Sequence, residues 1–382
     1  MPINSSSRLK LLSYYDVWCE PPDASGDEIL YFASGRKRLK IKGHSFREFR
    51  DVVLPLLDGN HMVEEVEKRV ASYFDPEDLR RCLNLLESQN LLEDVSADPN
   101  PSNTDQIPVP QLNFLHTVGG DANDISRRLL RATIAIVGLG GAGAQAALSL
   151  AAGKVGRIHC VDSLPVSEAD TYFSNLFALE QVSTPRAVAV ANSLKTLVPQ
   201  ANITTHTQPL DSDSDVERAI DESDFVICCV DRAQISIVYK LNRVCLKRQV
   251  RWTSGIQRGT ELVLGPTVHP SESPCYLCYK MRAIACAGNP EDEFAYERFL
   301  DRRKQDDSSR HENVVFGANI LAGLLGMEAL KEVSGSMEGS VVGKILIFDL
   351  LSFSATKHAI LRKPWCPACF RTEPDTSRTG EL

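Results

Sequence analysis

Apolar positions change their spacing twice along this chain. Glu28–Phe32 and Arg38–Lys42 are short strand-like runs, and Ala33-Ser34-Gly35-Arg36-Lys37 between them predicts a hairpin. Phe46, Phe49, Val53 and Leu56/Leu57 then fall on one helical face, opened by Ser45 and Glu48 as a capping box and stopped by Asp58-Gly59-Asn60. Met62, Val66 and Val70 predict a second helix. Asp75-Pro76 starts a third, which carries Leu79, Leu83 and Leu86 and ends near Asn90. A hairpin followed by three short helices is the pattern of a small winged-helix-like domain, assigned to residues 1–95. Residues 96–111 are polar and proline-rich and read as a linker.

From about Arg131 strands and helices alternate. Thr133–Val137, Arg157–Val161, Asn202–Thr207 and Phe225–Val230 read as strands, with helices over Ala142–Ala152 and Ala187–Leu197. Glu261–Leu264 and Lys344–Phe348 are later strands, and Asn319–Glu332 is a later helix. The succession implies an α/β fold: a doubly wound, Rossmann-type sheet over 112–382 with helices on both faces.

Composition changes this picture little. A chain of 382 residues with 43% hydrophobic and 24% charged positions is ordinary for a globular protein. A net charge of −8 argues against nucleic acid as a partner. Neither a signal peptide nor a membrane-spanning run is legible, so the expected location is the cytoplasm. The eleven cysteines do not form the even framework of a small secreted domain.

Three constellations carry chemistry. Gly138-Leu139-Gly140-Gly141-Ala142-Gly143 lies between a strand and a helix, where glycine lets backbone N–H groups approach phosphate. Asp162, about twenty residues on at the end of the next strand, stands where a ribose hydroxyl is held. The loop alone does not separate NAD from ATP. Cys275 and Cys278 pair with Cys366 and Cys369 as two C-x-x-C knuckles, the donor set of a closed, structural zinc site. Asp231 follows the apolar strand Phe225–Val230, and such a carboxylate either holds magnesium on a triphosphate or caps a helix.

The glycine loop, Asp162, Asp231 and the two knuckles occur in the order and approximate spacing of the ThiF/MoeB superfamily of ubiquitin-activating-enzyme-like adenylyltransferases, which residues 112–370 resemble. The resemblance implies a homodimer that adenylates a carboxylate with ATP and Mg2+. It also implies that Gly138, Gly140, Gly141, Gly143 and Asp162 bind nucleotide and that Asp231 binds magnesium. Asp170 falls where the family has an asparagine, Phe173 where it has a phosphate-binding arginine, and Arg186 where it has a lysine. Leu112 stands where an arginine is donated across the dimer. Arg127, Arg128, Arg232 and Arg258 are candidate substitutes, and a gapped match through Ser174-Asn175-Leu176 remains open.

The first module resembles the precursor-peptide recognition domain of enzymes that make ribosomal peptide natural products, in which a leader peptide adds a strand beside the hairpin. The two resemblances together imply a peptide carboxylate as substrate, a glutamate side chain among the candidates, and a role in antibiotic biosynthesis. A leader-binding scaffold without ATP chemistry and a sulfur-carrier-protein adenylyltransferase are the alternatives. The charge-rich stretch Ala285–Glu312 reads as a solvated loop or exposed helix, or as a lid over the site.

Overall fold

The architecture follows from where the apolar runs can be buried, and the chain divides into two units, Met1–Thr117 and Val118–Leu382. The computed structural model describes residues 3–22, 24–35, 37–96, 107–118, 121–230, 234–303 and 312–370.

In the first unit, strands β1 (Arg8–Leu11), β2 (Asp16–Glu20), β3 (Glu28–Ala33), β4 (Arg38–Gly43), β5 (Asp58–Met62) and β6 (Leu92–Asp94) form two small antiparallel sheets, β2-β3-β4 and β5-β1-β6. The expected hairpin is therefore two strands of a three-stranded sheet. β3 is its centre, with Leu30 and Phe32 fully buried. The first predicted helix is a single turn, α1 (Phe46–Glu48), continued by π-helical Phe49–Val53 and 3-10 Leu54–Leu56. Ser45 makes no side-chain cap there, because its backbone is left-handed with φ 60°. Asp58-Gly59-Asn60, expected only to stop the helix, opens β5. Gly59 has φ +85° and lets the chain turn directly into pairing with β1.

Helices α2 (Val63–Val70) and α3 (Pro76–Ser88) form as expected. The Asp75 carboxylate accepts the Glu77 N–H at 2.8 Å. Their buried stripes, Val66 and Val70 with Leu79, Leu83 and Leu86, meet Phe32, Phe49 and Val53 in one core. Of the expected linker, 97–106 lie outside the described residues, and Val109 already begins α4 (Val109–Val118).

The second unit opens with α5 (Ala122–Arg131), β7 (Thr133–Val137), α6 (Gly141–Ala152), β8 (Arg157–Val161) and α7 (Asp170–Phe173). It continues through α8 (Arg186–Leu197), β9 (Ile203–His206), α9 (Asp213–Ala219), β10 (Phe225–Cys228), α10 (Ile235–Arg248) and β11 (Arg251–Arg258). Then follow β12 (Glu261–Leu264), α11 (Tyr276–Ala285), α12 (Pro290–Arg303), α13 (Val315–Ser334), β13 (Lys344–Asp349) and β14 (Ala355–Ala359).

All eight strands make one sheet, ordered β14-β13-β12-β11-β10-β7-β8-β9. The five from β9 to β11 are parallel; β7, β8, β9 and β10 are strands the sequence predicts, and β11 was not expected. β12, β13 and β14 extend the sheet antiparallel beyond β11. Every residue of β7 and β10 is buried, because helices cover both faces. Ala135, Val137, Val226 and Cys228 share a core with Val238, Leu241 and Cys245 of α10. On the other face α13 packs along α6 and α5.

The order matters for function. β8 lies on one side of β7 and β10 on the other, so the chain reverses between β7 and β10 and leaves a crevice beyond their C-terminal ends. No helix among the described residues is long and apolar enough to cross a membrane.

Candidate functional site: a glycine cradle at the strand switch

The glycine loop leaves β7 at this crevice, and its glycines are fixed by contact. Gly138 has φ +90°, and a Cβ there would lie 2.6 Å from the Cys229 carbonyl. A Cβ on Gly143 would lie 1.9 Å from the Gly138 carbonyl oxygen, so α6 rests directly on the loop. Gly140 caps α6 without a side chain, and Gly140, Gly141 and Ala142 line a cleft. Backbone N–H groups at a helix start, with no side chain in front of them, fit the phosphates of a nucleotide.

Asp162 braces the loop from behind. Its carboxylate accepts the Leu139 N–H and the Leu164 N–H, each at 2.8 Å, and is almost completely buried. Burial pushes this carboxyl upward, while the Arg186 guanidinium and the two N–H donors pull against that shift.

Arg186 begins α8 and is itself buried. Its Nε and Nη2 donate to the two Asp170 oxygens at 3.1 and 2.8 Å, and its Nη1 lies 3.8 Å from Asp162. Asp170 also accepts the Ser167 N–H at 2.7 Å. The two departures from the family pattern, at 170 and 186, thus meet as one bidentate ion pair behind the loop. No property of either residue taken singly in the sequence indicates this partnership.

Phe173, on α7, faces the cleft with no charge to offer. Gln257, Glu312 and Asn313 also line it. Sequence reasoning passed over all three, although Gln257 is a polar position inside a buried strand. The Gln257 side-chain oxygen Oε1 accepts the Val314 N–H at 3.4 Å, which joins β11 to the start of α13. Among the candidate cations, Arg127 and Arg128 are ion-paired with Asp124 along α5. Arg258 ends β11 and lines a second cavity. Asp231 and Arg232 lie outside the described residues.

That second cavity shares Val230, Gly255 and Ile256 with the cleft, so the two adjoin. α12 forms part of its wall. Glu297 of α12 accepts the Tyr239 hydroxyl at 3.1 Å and pairs with Lys280. Burial and the Glu297 carboxylate push the Tyr239 phenol well above its ordinary range. The charge-rich stretch is therefore partly a helix bound down at its Glu297. Cys286 caps α11 and is exposed.

The four knuckle cysteines come together. Cys275–Cys366, Cys278–Cys369 and Cys275–Cys278 sulfurs are 3.8, 3.6 and 4.0 Å apart, and all four lie within 4.8 Å of one another. Thiolates about 2.3 Å from one tetrahedral ion are separated by about 3.8 Å, so this cluster has the size of a zinc site. The Lys363 N–H approaches the Cys278 sulfur at 3.4 Å. Hydrogen bonds among the thiols push Cys278 below its ordinary range and Cys275 above it.

The ThiF family pattern matches residues 110–368. Sulfur carrier protein adenylyltransferase of Thermus thermophilus is 26% identical over 246 residues, covering 63% of this chain and 83% of that protein. Molybdopterin-synthase adenylyltransferase of Escherichia coli is 25% identical over 247 residues, 62% of this chain and 86% of that protein. Among solved structures, E. coli MccB with MccA-N7isoASN superposes with a TM-score of 0.70 at 15% identity, covering 95% of this chain and 99% of that one. PaaA superposes at 0.65 with 16% identity, covering 91% and 98%. The structural likenesses bear on the fold. The family match spans well over half of the sequence and contains the glycine cradle, Asp162, the first knuckle and Cys366 of the second: the chain belongs to the ThiF family and is an enzyme of the adenylyltransferase type.

Proposed function

We propose that this enzyme binds a ribosomally made precursor peptide and activates one of its carboxylates with ATP, in the making of a peptide natural product. One observation carries the choice of substrate. The adenylyltransferases that act on sulfur carriers and molybdopterin synthase correspond to 62–66% of the chain, whereas MccB, solved with its MccA peptide, corresponds to 95%, first unit included. A leader strand added at an edge of the β2-β3-β4 sheet is the expected use of that unit.

In the proposed reaction the N–H groups at the start of α6 hold the phosphates, and Asp162 keeps the loop in shape and meets the ribose. Asp231 would hold Mg2+, which would screen charge on the phosphates. A peptide carboxylate oxygen attacks the α-phosphorus, the bond to the bridging oxygen breaks, and pyrophosphate leaves with its electrons. The acyl-adenylate is then captured by a nucleophile, releasing AMP. Arg186, paired with Asp170, acts as a positioning residue behind the loop. Zinc in the four-thiolate site is structural, and the enzyme works as a cytoplasmic homodimer.

The test is pyrophosphate release by the purified protein, with and without the short peptide encoded beside it, in wild type and Asp231→Ala. Peptide-stimulated release lost in the variant supports adenylation. The neutral Phe173 in the cleft favours a second reading, a leader-binding scaffold; tight peptide binding without turnover would establish it in place of the first.

A further inference from the structure

One side chain ties the wall of the cleft together. Gln257 is only 8% exposed, and both ends of its carboxamide are engaged. Its Nε2 donates to the Gly259 carbonyl at 3.0 Å, and its Oε1 accepts the Val314 N–H at 3.4 Å. An ionised glutamate could only accept here, and a lysine or arginine could only donate. The fit to α13 is close: a Cβ on Gly317 would lie 2.5 Å from Oε1. Ala318, the next residue, stands against the glycine cradle, its Cβ 3.2 Å from where a Cβ on Gly141 would be. Through Gln257, the end of β11 therefore fixes the start of α13, and the start of α13 rests on the start of α6.

Asn313 is the residue this arrangement carries to the cleft. It directly precedes Val314, is half-buried, and its carboxamide has no hydrogen-bond partner among the described residues. Glu312 on the same wall is an exposed carboxylate, which cannot donate to an anion, and Phe173 offers no polar group. We propose that the Asn313 amide donates to a phosphate oxygen of the nucleotide and that Gln257 is the positioning residue that holds Asn313 for it. Such a bond is charge-assisted, so its geometry matters more than that of a neutral pair. The inference rests on the reading of the cleft as the nucleotide site.

A double-mutant cycle tests it, with ATP and saturating Mg2+ titrated calorimetrically into the full chain and a thermal melt taken for each variant. Asn313→Ala removes the donor where it holds nothing else, and should weaken ATP about tenfold with the melt unchanged. Gln257→Met gives up both hydrogen bonds at similar volume, and should lower the melt and weaken ATP by a similar factor. In the double variant Gln257→Met should cost little further affinity, because no donor is left to misplace. Gly317→Ala, which crowds the carboxamide without removing it, enters the same cycle as a second probe and should behave alike. A purely structural Gln257 would weaken ATP by the same factor whether or not Asn313 is present. Such additive losses, or an Asn313→Ala chain that binds ATP as wild type does, would overturn the proposal and leave the cleft as the nucleotide site. A wild-type chain that binds no ATP would overturn both.

Discussion

Replacing Arg186 by methionine removes the guanidinium that stands between two buried carboxylates. Asp162 and Asp170 lie 3.8 and 2.8 Å from it, and all three side chains are almost wholly out of water. At an effective dielectric of about 20, charges at those distances attract by about 4 and 6 kcal/mol before desolvation is counted. Breaking such a pair from one side costs about 3–5 kcal/mol net. Arg186→Met belongs at the top of that range, because it leaves two like charges facing each other. Asp170→Asn should cost less, about 1–3 kcal/mol, because the remaining Arg186–Asp162 pair is neutral and the amide can still accept the Ser167 N–H.

At about 2–4 °C per kcal/mol for a domain of this size, the melting temperature falls by about 10 °C or more in the first variant and by a few degrees in the second. The deficit also has a signed pH dependence. Asp162 is already pushed up by burial, and losing Arg186 pushes it further. A carboxyl raised above its unfolded value penalises the fold when ionised, so the penalty shrinks as pH falls through the raised value. Thermal melts at about pH 7.5 and about pH 5 should therefore show the Arg186→Met deficit narrowing with acid. A variant as stable as wild type, a larger loss in Asp170→Asn, or a deficit that widens with acid would refute the buried-charge account.

Gly143→Ala would put a methyl group 1.9 Å from the Gly138 carbonyl oxygen; calorimetry should find ATP binding lost and stability reduced by several kcal/mol, roughly the upper end for overpacking. The purified protein should carry about one zinc per chain by elemental analysis, and Cys366→Ser or Cys278→Ser should lose it with a lowered melting temperature. Native alkylation at about pH 8 should label the exposed Cys286 and spare Cys160 and Cys228, whose thiols burial pushes up to about 12, until the chain is denatured. Peptide mapping by mass spectrometry reads the difference.

How far the sequence reveals this molecule depends on where each segment's contacts lie. β7 and β12 end where their apolar runs end, since an unbroken run between glycine or charged positions suits a strand covered on both faces. β11 escaped notice because Thr253, Ser254 and Gln257 look like surface, yet Thr253 is fully buried, hydrogen-bonded to Thr267. β14 is exposed throughout and has no alternation to read. In the first unit, Asp58–Met62 holds polar residues that spell a turn, and only pairing with distant β1 makes it a strand. The glycine cradle and the four-cysteine cluster were legible because their chemistry dictates spacing. The union of Asp170 with Arg186 was not, because two positions sixteen apart in the chain carry no local signal of contact.

The two knuckles have a consequence for the order of assembly. Cys275 and Cys366 are 91 residues apart, and everything from α11 to β14 lies between them. During synthesis the first pair waits, with half a coordination sphere, until the second pair has been made and has left the ribosome, so a metal held by all four thiolates would be captured late. Joining the ends of so long a loop restricts the unfolded chain by about 4–5 kcal/mol in the chain-entropy account of cross-links. Metal supply would then set how much newly made protein matures, independently of how much is translated.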